Sequence, residues 1–216
     1  KLKGTVHYEV KDGVAILTVD NPPVNPLSDG VRAGLVDNIK KAEEDGDIIG
    51  VVLTGAGRSF IAGADISEFG KSPDGPGLDE AFKSLEFCSK PVVAAINGSA
   101  LGGGLETALV CNYRIAGPAA FVGLPEVNLG LLPGAGGTQR LPRLVGPAEA
   151  LKMMLTGMHV KAKKALDMGI IDEISDDLIN DSVSFIKKVS SESKDHPKVR
   201  DLNEKVLEAR GSENIL

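Results

Sequence analysis

At 216 residues with 42% apolar side chains, the chain can bury one sizeable core, and no linker-like stretch in its middle divides it. A balance of 24 Lys and Arg against 30 Asp and Glu leaves a net charge of −6, which argues against a nucleic-acid partner. Two cysteines and no apolar N-terminal run argue against a disulfide framework, a secretory signal and a membrane span, so a reducing compartment is expected.

From the N-terminus, Thr5 to Val10 and Val14 to Asp20 alternate around Lys11-Asp12-Gly13, which predicts a β-hairpin. A helix follows Ser28, with Val31, Leu35 and Ile39 on one face. A buried strand is expected over residues 48–54, carried by Ile48-Ile49-Gly50-Val51-Val52-Leu53. Glycines and prolines mark residues 70–77 as a loop before a helix near 78–88. The run Val92-Val93-Ala94-Ala95-Ile96 predicts another buried strand, and a helix is expected from Gly103 to Val110. This alternation of strand and helix calls for an α/β core. The later part turns helical, with candidates at Pro147 to Leu155, Ala162 to Met168, Asp177 to Val189 and Val199 to Ala209, and Met153 and Met154 read as core or contact residues.

The most informative segment is Leu101-Gly102-Gly103-Gly104-Leu105-Glu106, followed twenty residues later by Leu124-Pro125-Glu126. A glycine run at a helix N-terminus presents unbonded N–H groups and the positive dipole end, which suits an oxygen that becomes negative during a reaction. Arg58 to Ile66, after the strand over 48–54, offers a second set of backbone donors. Each feature has an ordinary explanation when it stands alone. A glycine triplet can be a tight turn, an acidic residue in a first helical turn is favourable anyway, and Glu126 could be a solvated loop residue. Competing chemistries are poorly supported. His7, His159 and His196 are scattered and expected at the surface, with no carboxylate or cysteine at metal-ligand spacing. Gly98-Ser99-Ala100-Leu101-Gly102 does not place its serine as a nucleophile elbow requires, and nothing marks Cys88 or Cys111 as nucleophiles. Gly102 to Thr107 lacks the third glycine of a dinucleotide fingerprint, and Pro133 to Thr138 lacks the lysine of a phosphate-binding loop.

The segments Phe60 to Ile66 (FIAGADI), Asn97 to Glu106 (NGSALGGGLE), Leu124 to Gly130 (LPEVNLG) and Pro133 to Arg140 (PGAGGTQR) together resemble the enoyl-CoA hydratase/isomerase (crotonase) family, in that family's order and spacing. The wording of the second half is closest to the hydratase part of multifunctional fatty-acid oxidation enzymes. The resemblance implies an α/β fold of crotonase type, a spiral of ββα repeats, with residues 1–175 as the spiral core and 176–216 as an apparently incomplete helical region. It implies an oxyanion hole from the N–H groups of Ala64 and Gly103, and two acid–base glutamates at Glu106 and Glu126. Coenzyme A would run over Ala62, Asp65, Ile66 and Ser67, largely through main-chain contacts, with Arg58 near the nucleotide phosphate. Ser67 stands where several relatives carry a lysine, so the resemblance implies no lysine contact to phosphate there.

The implied activity is hydration of a trans-2-enoyl-CoA to the 3-hydroxyacyl-CoA in fatty-acid β-oxidation, with Δ3,Δ2-enoyl-CoA isomerisation as the alternative. Relatives that only isomerise commonly lack the first glutamate, so the retained pair favours hydration. An acyl-CoA thioester is the expected partner, with no nucleic acid, no membrane, no metal and no separate cofactor, since coenzyme A arrives with the substrate. The expected location is cytoplasmic in a bacterium, or peroxisomal or the mitochondrial matrix in a eukaryote. Ile170, Ile171, Ile174, Leu178, Ile179, Val183 and Ile186 are expected to form an apolar surface in want of a cover. That surface would be met by a trimer or by a further segment of the same polypeptide.

Overall fold

The computed structural model describes residues 2–68, 70 and 74–211. The hairpin forms from β1 (Thr5–Lys11) and β2 (Val14–Asp20), with Lys11 opposite Val14. Asp12 and Gly13, at φ 51° and 76°, make the two-residue turn whose twist matches that of the strands. Helix α1 (Asp29–Glu44) buries Val31, Leu35 and Ile39 on one face. Strand β3 (Gly50–Gly55) is buried throughout but begins after Ile49, which is 40% exposed, so the apolar run overstates the strand at its N-terminal end. Next come β4 (Ser59–Ile61), α2 (Leu78–Glu86), β5 (Val92–Ile96), β6 (Ser99–Leu101), α3 (Gly103–Val110), β7 (Tyr113–Ala116) and β8 (Phe121–Gly123). Of the predicted loop over 70–77, residues 71–73 lie outside the described residues, as do residues 212–216 at the C-terminal end.

Each pass of the chain contributes one strand to each of two sheets: β3 then β4, β5 then β6, β7 then β8. With β10 (Glu173–Ile174), the larger sheet has the order β1-β2-β3-β5-β7-β10 and is parallel except for the hairpin. With β9 (Val160–Lys161), the smaller has the order β4-β6-β8-β9 and is parallel except for its last pair. This is the expected spiral of ββα turns. Strands such as β5, buried at every residue, read as unbroken apolar runs because both faces are covered.

The remaining helices are α4 (Gly137–Val145), α5 (Pro147–Thr156), α6 (Ala162–Met168), α7 (Leu178–Glu192) and α8 (Glu204–Gly211). Met153 is fully buried and Met154 packs against the core, as predicted. The single helix expected over 199–209 is broken. Val199 inserts into the core from a 3-10 turn (Val199–Asp201), whereas no residue of α8 is buried, so the two pieces cannot share one helical face.

The uncovered apolar surface expected on 170–186 does not exist. Val183 and Ile186 of α7 pack on the outer face of the larger sheet, against Val14, Ile16, Val52, Val93, Ala95 and Ile115. A Cβ on Gly50 would stand 2.5 Å from Ile186 Cγ2, which measures how closely α7 approaches the strand. Ile170 and Ile171 are also buried, and Ile174, Leu178 and Ile179 pack beside these clusters. The exposed large apolar residues lie elsewhere, among them Leu129, Leu131 and Leu132 at 60%, 43% and 74%.

Candidate active site

In the smaller sheet β4, β6 and β8 are parallel neighbours, with Ile61 beside Ala100 and Leu101 beside Gly123. Parallel neighbours end at the same edge, so whatever follows each strand meets there, at the carboxyl edge where α/β sheets bind ligands. Ala62 to Ala64 follow β4, the glycine triplet follows β6, and Leu124 to Glu126 follow β8. Segments from Ala62 to Ala135 in the chain thus line one cavity of about 350 Å³, with Leu78, Leu101, Leu131 and Leu132 adding apolar wall.

The glycines serve different geometric needs. Gly102, at φ 54°, makes the sharp turn out of β6, and its N–H donates to Gly123 O at 2.9 Å. A Cβ on Gly104 would fall 1.8 Å from Ile61 O, so α3 can lie on β4 only with hydrogen at that position. Gly103 opens α3, where the first N–H groups have no intrahelical partner. A Cβ built on Gly103 would stand 3.4 Å from Ala64 N, so the Ala64 amide lies beside Gly103, and both residues line the cavity. Ala64 is fixed by the bridge to Leu27, whose N–H donates to Gly63 O at 2.9 Å.

Glu106 lies in the first turn of α3 and is 3% exposed. Its Oε1 accepts two backbone N–H bonds, from Ala135 at 2.9 Å and Gly137 at 2.8 Å. Burial raises its carboxyl above the ordinary range, while these N–H groups and the Arg140 charge pull it back in part. From the sequence alone Pro133 to Arg140 carries a family motif but no assigned role. The signal was available in hindsight: a Gly-rich loop entering a helix supplies convergent amides, and here they hold a carboxylate.

Glu126 sits in the first turn of a 3-10 segment (Pro125–Leu129) and also faces the cavity. Its Oε1 lies 3.2 Å from where a Gly102 Cβ would stand, and its buried Oε2 has no hydrogen-bond partner among the described residues. Its carboxyl is raised mainly by burial, against a pull from its own N–H, with the Glu106 charge raising it further. The charge of Glu106 is thus felt at Glu126. A carboxyl raised in the fold binds its proton more tightly than in the unfolded chain, so stability falls as pH rises from the ordinary 4.5 through the raised pKa. Glu126→Gln cannot ionise and should lack that loss. Urea melts between about pH 4 and 8 should show the variant gaining on the wild type as pH rises, and parallel curves would contradict the raised carboxyl.

Of the segment expected to carry coenzyme A, Ala62, Ala64 and Ile66 line the cavity, and Arg58 and Ser67 are exposed outside it. The Asp65 side chain turns inward. Burial pushes its carboxyl up, but bonds from Lys3 Nζ (2.6 Å) and from Ser67 outweigh that and leave it below the ordinary range. Arg32 ties the following turn to α1 through Glu68 at 2.7 Å. His7 and His159 are exposed as expected, but His196 is half-buried against Tyr113, whose hydroxyl lies 3.1 Å from His196 Nδ1. Burial pushes the Cys88 thiol up to about 11 and that of Cys111 to about 12, so neither is a ready nucleophile.

Known proteins are similar to this chain across most of its length. The peroxisomal bifunctional enzyme of Danio rerio is 51% identical over 170 residues, covering 78% of this chain and 24% of that protein. This chain therefore spans about a quarter of the length of such multifunctional relatives. The probable enoyl-CoA hydratase of Bacillus subtilis (strain 168) is 44% identical over 173 residues, covering 77% of this chain and 67% of that one. Among solved structures, Pseudomonas aeruginosa DspI superposes with a TM-score of 0.80 at 35% identity, over 96% of this chain and 88% of that chain. The profile described as enoyl-CoA hydratase/isomerase matches residues 9–211, and with the spiral of ββα turns it shows that this chain belongs to the enoyl-CoA hydratase/isomerase (crotonase) family.

Proposed function

We propose that the chain adds water across the double bond of a trans-2-enoyl-CoA thioester to give the 3-hydroxyacyl-CoA. The observation that carries this reading is the meeting, on one largely apolar cavity, of the carboxyls of Glu106 and Glu126 with the neighbouring residues Ala64 and Gly103. Glu106, ionised, takes a proton from a water as its oxygen bonds to the β carbon. The C=C electrons move toward the thioester, and its oxygen, gaining negative charge, is held by the N–H groups of Ala64 and Gly103. Glu126, protonated, delivers a proton to the α carbon as the thioester carbonyl re-forms. A carboxyl with a buried Oε2 suits this task, because no hydrogen-bond partner among the described residues holds that oxygen.

Coenzyme A recognition follows the same edge. The pantetheine would run along Ala62 to Ile66, whose main chain borders the cavity, with the acyl group toward Leu78, Leu131 and Leu132. Arg58 is exposed at the outer end of that segment and is free to meet a nucleotide phosphate. The test is a hydration assay over enoyl-CoAs of about C4 to C16, run in D2O. One deuterium should appear at the α carbon per turnover, and no hydration of any chain length would overturn the reading.

A further inference from the structure

Arg140 has no part in the chemistry above, although it lies in the first turn of α4, beside the loop that holds Glu106. Its Nε and Nη2 donate to Oε1 and Oε2 of Glu86, each at 2.8 Å, a parallel fork that fixes the guanidinium plane. Glu86, 3% exposed at the end of α2, also accepts Arg200 Nη1 at 3.3 Å. The remaining arm of Arg140, Nη1, donates to Ala135 O at 3.3 Å. Ala135 is one of the two residues whose N–H bonds Glu106. The loop is therefore gripped from both sides: the amides of Ala135 and Gly137 face the carboxylate, and the carbonyl between them faces the guanidinium. The fit is close, since a Cβ on Gly136 would stand 2.1 Å from Arg140 Nη1.

We propose that Arg140, clamped by Glu86, is a positioning residue for Glu106, fixing the loop whose two amides orient that carboxylate. This rests on the assignment of water activation to Glu106. Two charged groups face Glu106 from neighbouring elements: Glu126 from the turn after β8 and Arg140 from α4. Arg140 thus has two separable effects. Its charge favours the ionised carboxylate, and its fork holds the carboxylate in place.

The test uses the full chain labelled with 13Cδ glutamate, the Glu106 resonance being assigned by its loss in Glu106→Gln. Arg140→Gln should raise the Glu106 titration midpoint by about one unit and lower kcat for hydration by about 10²-fold with KM little changed. Arg140→Lys restores the charge without the fork, so it should recover most of the midpoint and little of kcat. Glu86→Gln with Arg140→Gln removes the buried pair together and leaves only Arg200, whose side chain is 48% exposed, without its Glu86 partner. The double variant, which lacks the fork but changes no net charge, should repeat the single variant's loss of kcat with a smaller change of midpoint. A folded double variant with the wild-type kcat, or an Arg140→Lys variant that recovers both midpoint and kcat fully, would overturn the proposal. If the wild type hydrates no enoyl-CoA while the midpoints shift as stated, the functional reading fails and the positioning role stands.

Discussion

Replacing Glu126 by Gln should lower enoyl-CoA hydration by about 10²–10⁴, and replacing Glu106 by Gln should do the same, with the fold intact in both. The change keeps the shape of each side chain and removes only its capacity to take or give a proton. At Glu106 the amide oxygen can still accept the bonds from Ala135 and Gly137, so the loop stays in place. The loss is therefore chemical. Stopped assays at saturating substrate separate the roles: isomerisation of a 3-enoyl-CoA needs one group that both takes and returns a proton. It should survive in Glu106→Gln and vanish in Glu126→Gln, because Glu126 is the carboxyl whose Oε2 is unpartnered. Wild-type hydration in either variant would remove that residue from the mechanism.

Gly103→Pro should reduce turnover by at least about 10²–10³, the usual cost of one lost oxyanion donor. The position allows an unusually clean test. Gly103 is the first residue of α3, where proline is tolerated because the N–H lacks an intrahelical partner. The ring would press on Leu27 Cδ1, 3.2 Å from the ideal Cβ, which is the end of a side chain and can shift. Circular dichroism and melting should therefore show a folded protein. An active, folded Gly103→Pro variant would show that this amide does not carry the thioester oxygen.

Much of the framework was legible because the residues that build it carry local signals. The Asp12-Gly13 turn, the 31/35/39 stripe of α1 and the apolar run of β5 state their secondary structure within a few residues. The four motifs indicate the family. What resisted reading were the three- and four-residue strands β4, β6, β7 and β8, too short to show a period, and α4, whose helix contains Pro142. The apolar faces of α7 were equally opaque, since a pattern shows that a face seeks cover but not that β2, β3, β5 and β7 supply it.

The sequence by itself determined which residues could do chemistry here: two glutamates and a glycine-rich helix start, types that supply proton transfer and backbone donors wherever they meet. Only the tertiary structure decided that they do meet. Parallel pairing of β4, β6 and β8 brings the three segments to one edge. Burial then raises the carboxyls of Glu106 and Glu126, and no local pattern states burial. The role of Ala135 and Gly137 as the holders of Glu106, and of Arg140 and Glu86 behind them, is likewise tertiary. Those contacts join α2, α3 and α4 across 29 to 54 residues of chain, where a hydrogen bond leaves no trace in the order of the residues.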